Sequence, residues 1–229
     1  AASSQYGSTG GGSDEICVYC HTPHGSDTTA AVPLWNKAMP ATSSYTRYSS
    51  LNTSSLDGAE VPVGSVSIAC LSCHDGSQAM DVVINAPGSG LYNSAGAPIA
   101  GGLTGAMTGA PVPMLGTDLT NDHPISIQYA GGGLDSGDAN GTYNSSVFGD
   151  KDFNPVEKTT VNTVPIWWVD DGDTVRSKDE MQLYTRTEGG TTEPYVECAS
   201  CHDPHIDNGT TFLRRSNAQS AVCLSCHNK

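Results

Sequence analysis

The chain has 229 residues and a formal net charge of -14, with 10 Lys and Arg against 24 Asp and Glu. That acidity excludes a nucleic-acid surface, which needs a basic patch, and an anionic membrane surface; no apolar run approaches the roughly 20 residues needed to cross a bilayer. Leu, Ile, Val and Phe supply only 39 residues, a composition that by itself reads as disordered, but three Trp, nine Tyr and eight Cys point to a core built from something other than aliphatic side chains.

In chain order, the opening AASSQYGSTGGGSDE is small and polar. It reads as a flexible N-terminus (1–14) left after signal-peptide cleavage, so an exported protein is expected. A single domain is expected over 15–229, made of two paired-motif units, about 15–85 and 195–229, around an insertion of about 86–194. The first unit carries CVYCHTPH (Cys17 to His24) and CLSCH (Cys70 to His74). A Gly-rich stretch follows over 86–118, then TNDHPIS with His123. DSGDANGT (135–142) partly resembles a calcium loop but lacks the closing Glu, so a solvated turn is expected. TVPIWWV (163–169) and EMQLYTR (180–186) read as short strands around the turn DDGD, a small hairpin with Trp167 and Trp168 as packing residues. The second unit repeats the first, with CASCHDPH (Cys198 to His205) and CLSCH from Cys223.

All eight Cys fall into pairs spaced C-x-x-C: Cys17/Cys20, Cys70/Cys73, Cys198/Cys201 and Cys223/Cys226. His follows every pair, as His21, His74, His202 and His227. Disulfides, zinc knuckles or thioredoxin-like pairs would explain the cysteines, but none of them requires that His. C-x-x-C-H is the attachment signature of haem c: two thiols add to the vinyl groups of one porphyrin edge, and the adjacent His reaches the iron as proximal ligand. Four covalently attached haems are expected. Each is a large apolar plate that replaces missing aliphatic surface, and each crosslink restrains the chain. The expected fold is mostly irregular, with short helices at the motifs and a small hairpin, organised around the haems and unfolded without them.

Three of the seven His remain: His24, His123 and His205. His24 and His205 both end C-x-x-C-H-x-P-H. Trans imidazoles about 2 Å from one iron place their Cα atoms roughly 13 Å apart, whereas three residues span at most ~11 Å. The second His therefore serves a different iron, so the motif grips one haem and ligates another. His24, His123 and His205 are the candidate distal ligands. With seven His for four irons, at most three haems per chain can be bis-His, even in a homopolymer. Met80, Met107 and Met114, in or beside the Gly-rich stretch, are the favoured methionine candidates for the remaining position, with Met39 and Met181 behind them.

Taken in order, CVYCHTPHG, PLWNK, CLSCHDGS, LGTDLTNDHPIS, VECASCHDPH, FLRRSN and VCLSCHNK resemble the multihaem c-type cytochromes with paired CxxCH motifs. Among these, the tetrahaem OmcE-type subunits of extracellular filaments are similar over about 15–229. The resemblance implies an electron carrier rather than an enzyme, exported to the cell surface or beyond. It self-assembles into a filament and passes electrons to other redox cytochromes or external acceptors. It also implies distal ligation by His24, His123 and His205, with His24 a candidate ligand to a haem of the adjacent subunit; closure of a haem within its own chain is the alternative. The filament family is expected to be fully bis-His, and this chain is one His short of that pattern. A soluble periplasmic shuttle is the competing role, and an enzyme or sensor with an open iron ranks last, since no Ser-His-Asp arrangement, Walker loop or dinucleotide fingerprint is present.

Overall fold

The computed structural model describes residues 16–78, 82–85, 114–134, 141–144, 146–173, 175–206 and 212–228. Short helices do carry the motifs, but the expectation of a mostly irregular chain with one small hairpin is overturned by a six-stranded antiparallel sheet. Its strands are β1 (Ile127–Gln128), β2 (Gly141–Tyr143), β3 (Val156–Val161), β4 (Val164–Val169), β5 (Gln182–Glu188) and β6 (Thr191–Val196), in the order β1-β6-β5-β4-β3-β2.

The anticipated pairing of TVPIWWV with QLYTR exists as β4 against β5, through Trp167↔Leu183 and Trp168↔Gln182. It is the middle of the sheet rather than an isolated hairpin. Two tight hairpins flank it. In β3–β4, Val161 pairs Val164 across Asn162 and Thr163, both at positive φ (50° and 70°). In β5–β6, Glu188 pairs Thr191 across Gly189 and Gly190, at φ 59° and 88°. Two central residues at positive φ give the turn whose twist matches that of the strands.

Charged residues obscure β3 and β6 in the sequence. Glu157, Lys158 and Glu193 are all buried, and burial of charge requires partners. Lys158 Nζ lies 4.8 Å from the centre of the Trp167 ring, Glu157 accepts from the Thr142 hydroxyl, and Glu193 accepts from Gln128 Nε2 (2.7 Å) and the Gly133 N–H (3.0 Å). Satisfied in this way, polar side chains occupy positions that an aliphatic count assigns to loops.

The chain folds as two units. The first comprises residues 1–46 and 63–122, the second 47–62 and 123–229. The second holds the sheet, with a core of Tyr129, Leu134, Phe148, Val156, Trp167, Val169, Met181 and Leu183. Cys201 and Cys226 pack against this core, so two of the motifs are seated on the sheet. Met181 is fully buried there. Backbone passes close at Gly131 and Gly149: a Cβ on Gly149 would lie 2.5 Å from the Gly131 carbonyl oxygen.

Among its described residues, the first unit has one α-helix, α1 (Ser65–His74), in which Ile68 and Leu71 are buried; Val63, Tyr45 and Trp35 are also buried in this unit. Polar side chains do much of the joining. The fully buried Asn36 donates from Nδ2 to the carbonyls of Val18 (2.7 Å) and Asn85 (3.0 Å) and accepts from the Asn85 N–H (2.8 Å). Lys37, also fully buried, donates to the Val82 carbonyl.

Trp167 has no exposed surface and sits at the centre of the sheet core. Trp167→Ala is expected to cost ~3–5 kcal/mol, measured by denaturant unfolding followed by circular dichroism. A cost below 1 kcal/mol would contradict this placement.

Candidate haem sites

Each motif is formed on a helical turn. The first follows the 3₁₀ turn Ile16–Tyr19, the second ends α1, the third is α2 (Cys198–Cys201) and the fourth runs through α3 (Ala221–Leu224). The histidine N–H donates back to the carbonyl of the first cysteine: His21 to Cys17 (2.8 Å), His202 to Cys198 (3.1 Å) and His227 to Cys223 (3.0 Å). One closed turn places residues i, i+3 and i+4 on a common side, so both sulfurs and the imidazole can meet a single flat group.

The surroundings hold these turns in place. At α2, Glu197 and Ser200 form a reciprocal cap, and the buried Glu197 is met by Ser126 Oγ (3.1 Å) and Arg186 Nη1 (3.4 Å). Arg214 donates from its backbone to the Cys201 carbonyl and from Nε to the Ala199 carbonyl. At the fourth motif, Tyr129 reaches out of the core, its hydroxyl donating to the carbonyls of Asn154 (2.9 Å) and Cys226 (3.3 Å). Asn154 Nδ2 donates to the Leu224 and Ser225 carbonyls.

No two cysteines are joined by a disulfide in the structure. Among the described residues, no three Cys or His donor atoms lie within 4.8 Å of one another, so Cys198/Cys201 and Cys223/Cys226 do not converge as a zinc ribbon would. Burial, followed by the neighbouring Cys73, pushes the Cys20 thiol up to about 11, against the pull of the Lys37 ammonium. Burial and then Cys201 push Cys226 up to about 12. Burial likewise raises Cys73 and Cys201. These sites disfavour a thiolate and suit a neutral thioether. The same interactions put Cys20 beside Cys73, and Cys201 beside Cys226, so the motifs are paired within each unit.

Three imidazoles have a defined partner at Nδ1. Nδ1 of His21 lies 2.9 Å from the Pro33 carbonyl, and Nδ1 of His123 lies 2.9 Å from the Pro124 carbonyl. A carbonyl only accepts, so each Nδ1 carries the proton and Nε2 carries the lone pair. Nδ1 of His205 meets the Asp203 carboxylate at 3.0 Å, an arrangement common around metal-bound histidine. Burial alone would push the Asp203 carboxyl up, but hydrogen bonds from His205 and the charge of Arg214 hold it below its usual range. Pro33, Pro124 and Asp203 escape a reading based on ligand spacing, although Asp203 and Pro124 lie within two residues of the histidines they meet.

His123 and His227 come together. Their ring centres are 6.5 Å apart, and both line a recess of about 150 Å³ with Phe153 and Ile127. Two imidazoles on opposite faces of one iron have ring centres about 6 Å apart, close to the separation seen here. His24 and His205 are exposed. In the first unit Trp35 packs edge-on against His21, with ring centres 6.1 Å apart. Its buried indole N–H has no partner, which suits a site that receives a group bearing acceptors. Met114 is exposed beside Gly76, and the Leu115 N–H donates to the His74 carbonyl (2.7 Å). Met80 and Met107 lie outside the described residues.

Residues 193–229 match the doubled CXXCH motif family. No curated protein matches the chain. Taken with the four closed turns, the match supports a multihaem c-type cytochrome, a class in which CxxCH motifs bind haem c covalently and the haems carry electrons. A Cys198→Ala/Cys201→Ala variant is expected to lose one haem per chain in a pyridine haemochrome assay. Unchanged haem content would remove the third motif from the attachment sites.

Proposed function

We propose that all four motifs carry haem c and that the chain is a tetrahaem electron carrier serving as the subunit of an extracellular conductive filament. The observation that carries the electron-transfer reading is the packing of Cys201 and Cys226, from the third and fourth motifs, against one core. Bound haem c supplies one-electron iron chemistry. The protein's part is to hold it through two sulfurs, present Nε2 of a histidine whose Nδ1–H is already committed, and surround it with apolar side chains.

His227 and His123 are the proximal and distal ligands of the fourth haem in this reading. His123→Ala is expected to keep every covalent haem while one converts from low spin to high spin, measured by low-temperature electron paramagnetic resonance of the oxidised protein. Unchanged low-spin signals would mean that another residue supplies that ligand.

Three observations support the filament. The motif order resembles filament subunits, His24 is exposed, and a net charge of -14 makes subunits repel, so that junctions need specific bonds. A metal–ligand bond from His24 to the adjacent subunit's haem would supply such a junction. His24→Ala is expected to abolish filaments on negative-stain micrographs while leaving a folded tetrahaem monomer. Filaments as abundant as wild type would place His24 within its own chain. A wild-type protein that is monomeric at every concentration would instead be the periplasmic shuttle.

A further inference from the structure

Away from the cysteines, the loop after β4 and the residue preceding Met181 bring three carboxylates together. Asp170, Asp171 and Glu180 each place an oxygen within 4.8 Å of the others, and no other group of three such donors occurs among the described residues. They line a recess of about 250 Å³ together with Arg215 and with Leu224 and Ser225 of the fourth motif.

Clustering of acids is common on an acidic surface, and Glu180 is the reason to read more into this one. It is 1% exposed. One of its oxygens accepts from the Ser177 N–H, but Oε1 is buried with no hydrogen-bond partner. A buried carboxylate oxygen without a donor costs several kcal/mol unless something positive meets it. The nearby cation serves another member of the cluster: Arg215 directs Nη2 to Asp171 Oδ2 (3.1 Å) and Nε to the Asp179 carbonyl (3.1 Å). Asp170 Oδ1 accepts from the Gly172 N–H (2.8 Å). With Arg215 counted against Asp171, Asp170 and Glu180 leave two negative charges facing one recess. Burial pushes the Glu180 carboxyl up, and Asp171 and Asp173 add to the rise, as expected where carboxylates crowd one another without a counter-ion.

We infer that Asp170, Asp171 and Glu180 form a calcium site. Carboxylates are hard oxygen donors, and two oxygens on one calcium, each at about 2.4 Å, lie at most about 4.8 Å apart. Magnesium, at about 2.1 Å, demands a tighter octahedral set. The recess leaves room for water to complete the larger calcium shell. Bound there, the ion meets the orphan oxygen of Glu180 and fixes the loop between β4 and β5 beside the α3 turn that carries Cys223.

The test uses the haem-loaded protein after treatment with a chelator, titrated with calcium chloride in an isothermal calorimeter, with thermal unfolding measured in parallel. The wild type is expected to show one calcium site per chain and a melting temperature that rises with calcium. Glu180→Gln and Asp170→Asn are each expected to weaken that site at least tenfold and to remove the calcium-dependent rise. Weak calcium binding by haem propionates or other surface acids would persist in both variants. The inference is overturned if the wild type shows neither heat nor a thermal shift, as it would if Glu180 held a proton instead. It is also overturned if both variants bind calcium like the wild type. Should Glu180→Gln fail to fold, Asp170→Asn carries the comparison.

Discussion

One hydrogen bond, from the histidine N–H to the carbonyl of the first cysteine, underlies the arrangement. It closes a single helical turn and places two sulfurs and an imidazole on the same side. At the first, third and fourth motifs its length spans only 2.8–3.1 Å, although the turns hang on very different supports. One lies at the short 3₁₀ turn Ile16–Tyr19, one springs from the end of β6 and one is stitched to Asn154 and Tyr129. A four-residue helix is far too short to be stable by itself, so these supports, rather than helix propensity, maintain the geometry.

The pairing of motifs follows from how the supports converge. Cys20 and Cys73 share the neighbourhood of the buried Lys37 in the first unit, and Cys201 and Cys226 pack on the sheet core in the second. Electron transfer between cofactors needs such closeness. The raised thiols show a second aspect of the same arrangement: burial outweighs the lowering pull of Lys37 at Cys20 and Cys73 and of Arg214 at Cys201, so the protonated or thioether form is favoured over a thiolate.

What could be read from the chain was local. C-x-x-C-H carries its chemistry in residue type and spacing, so each candidate site was visible without a fold, and the three-residue spacing of H-x-P-H ruled out one shared iron by reach alone. His123 was recognisable as a candidate ligand, but its approach to His227 depends on a contact across more than a hundred residues and could not be read. The sheet was missed for a different reason. Glu157, Lys158 and Glu193 interrupt the alternation expected of strands, and only the folded partners show that they are satisfied. A signal was present in the two-residue connections, Asn162-Thr163 and Gly189-Gly190, each joining runs rich in β-branched residues.

Those two connections also bear on the order in which the chain acquires structure. The pairs they create join residues close in sequence, so they form with little loss of loop entropy and on a fast timescale. Among its described residues the first unit has one α-helix, α1, and no two-residue hairpin. Its Asn36 bonds join positions 18 and 49 residues apart, and its apolar core is small. The sheet unit therefore has a route to order that does not wait for its cofactors, and it can offer Cys201 and Cys226 on a surface already formed. In the first unit, where no such hairpin occurs among the described residues, order beyond α1 waits on contacts between positions further apart in the chain.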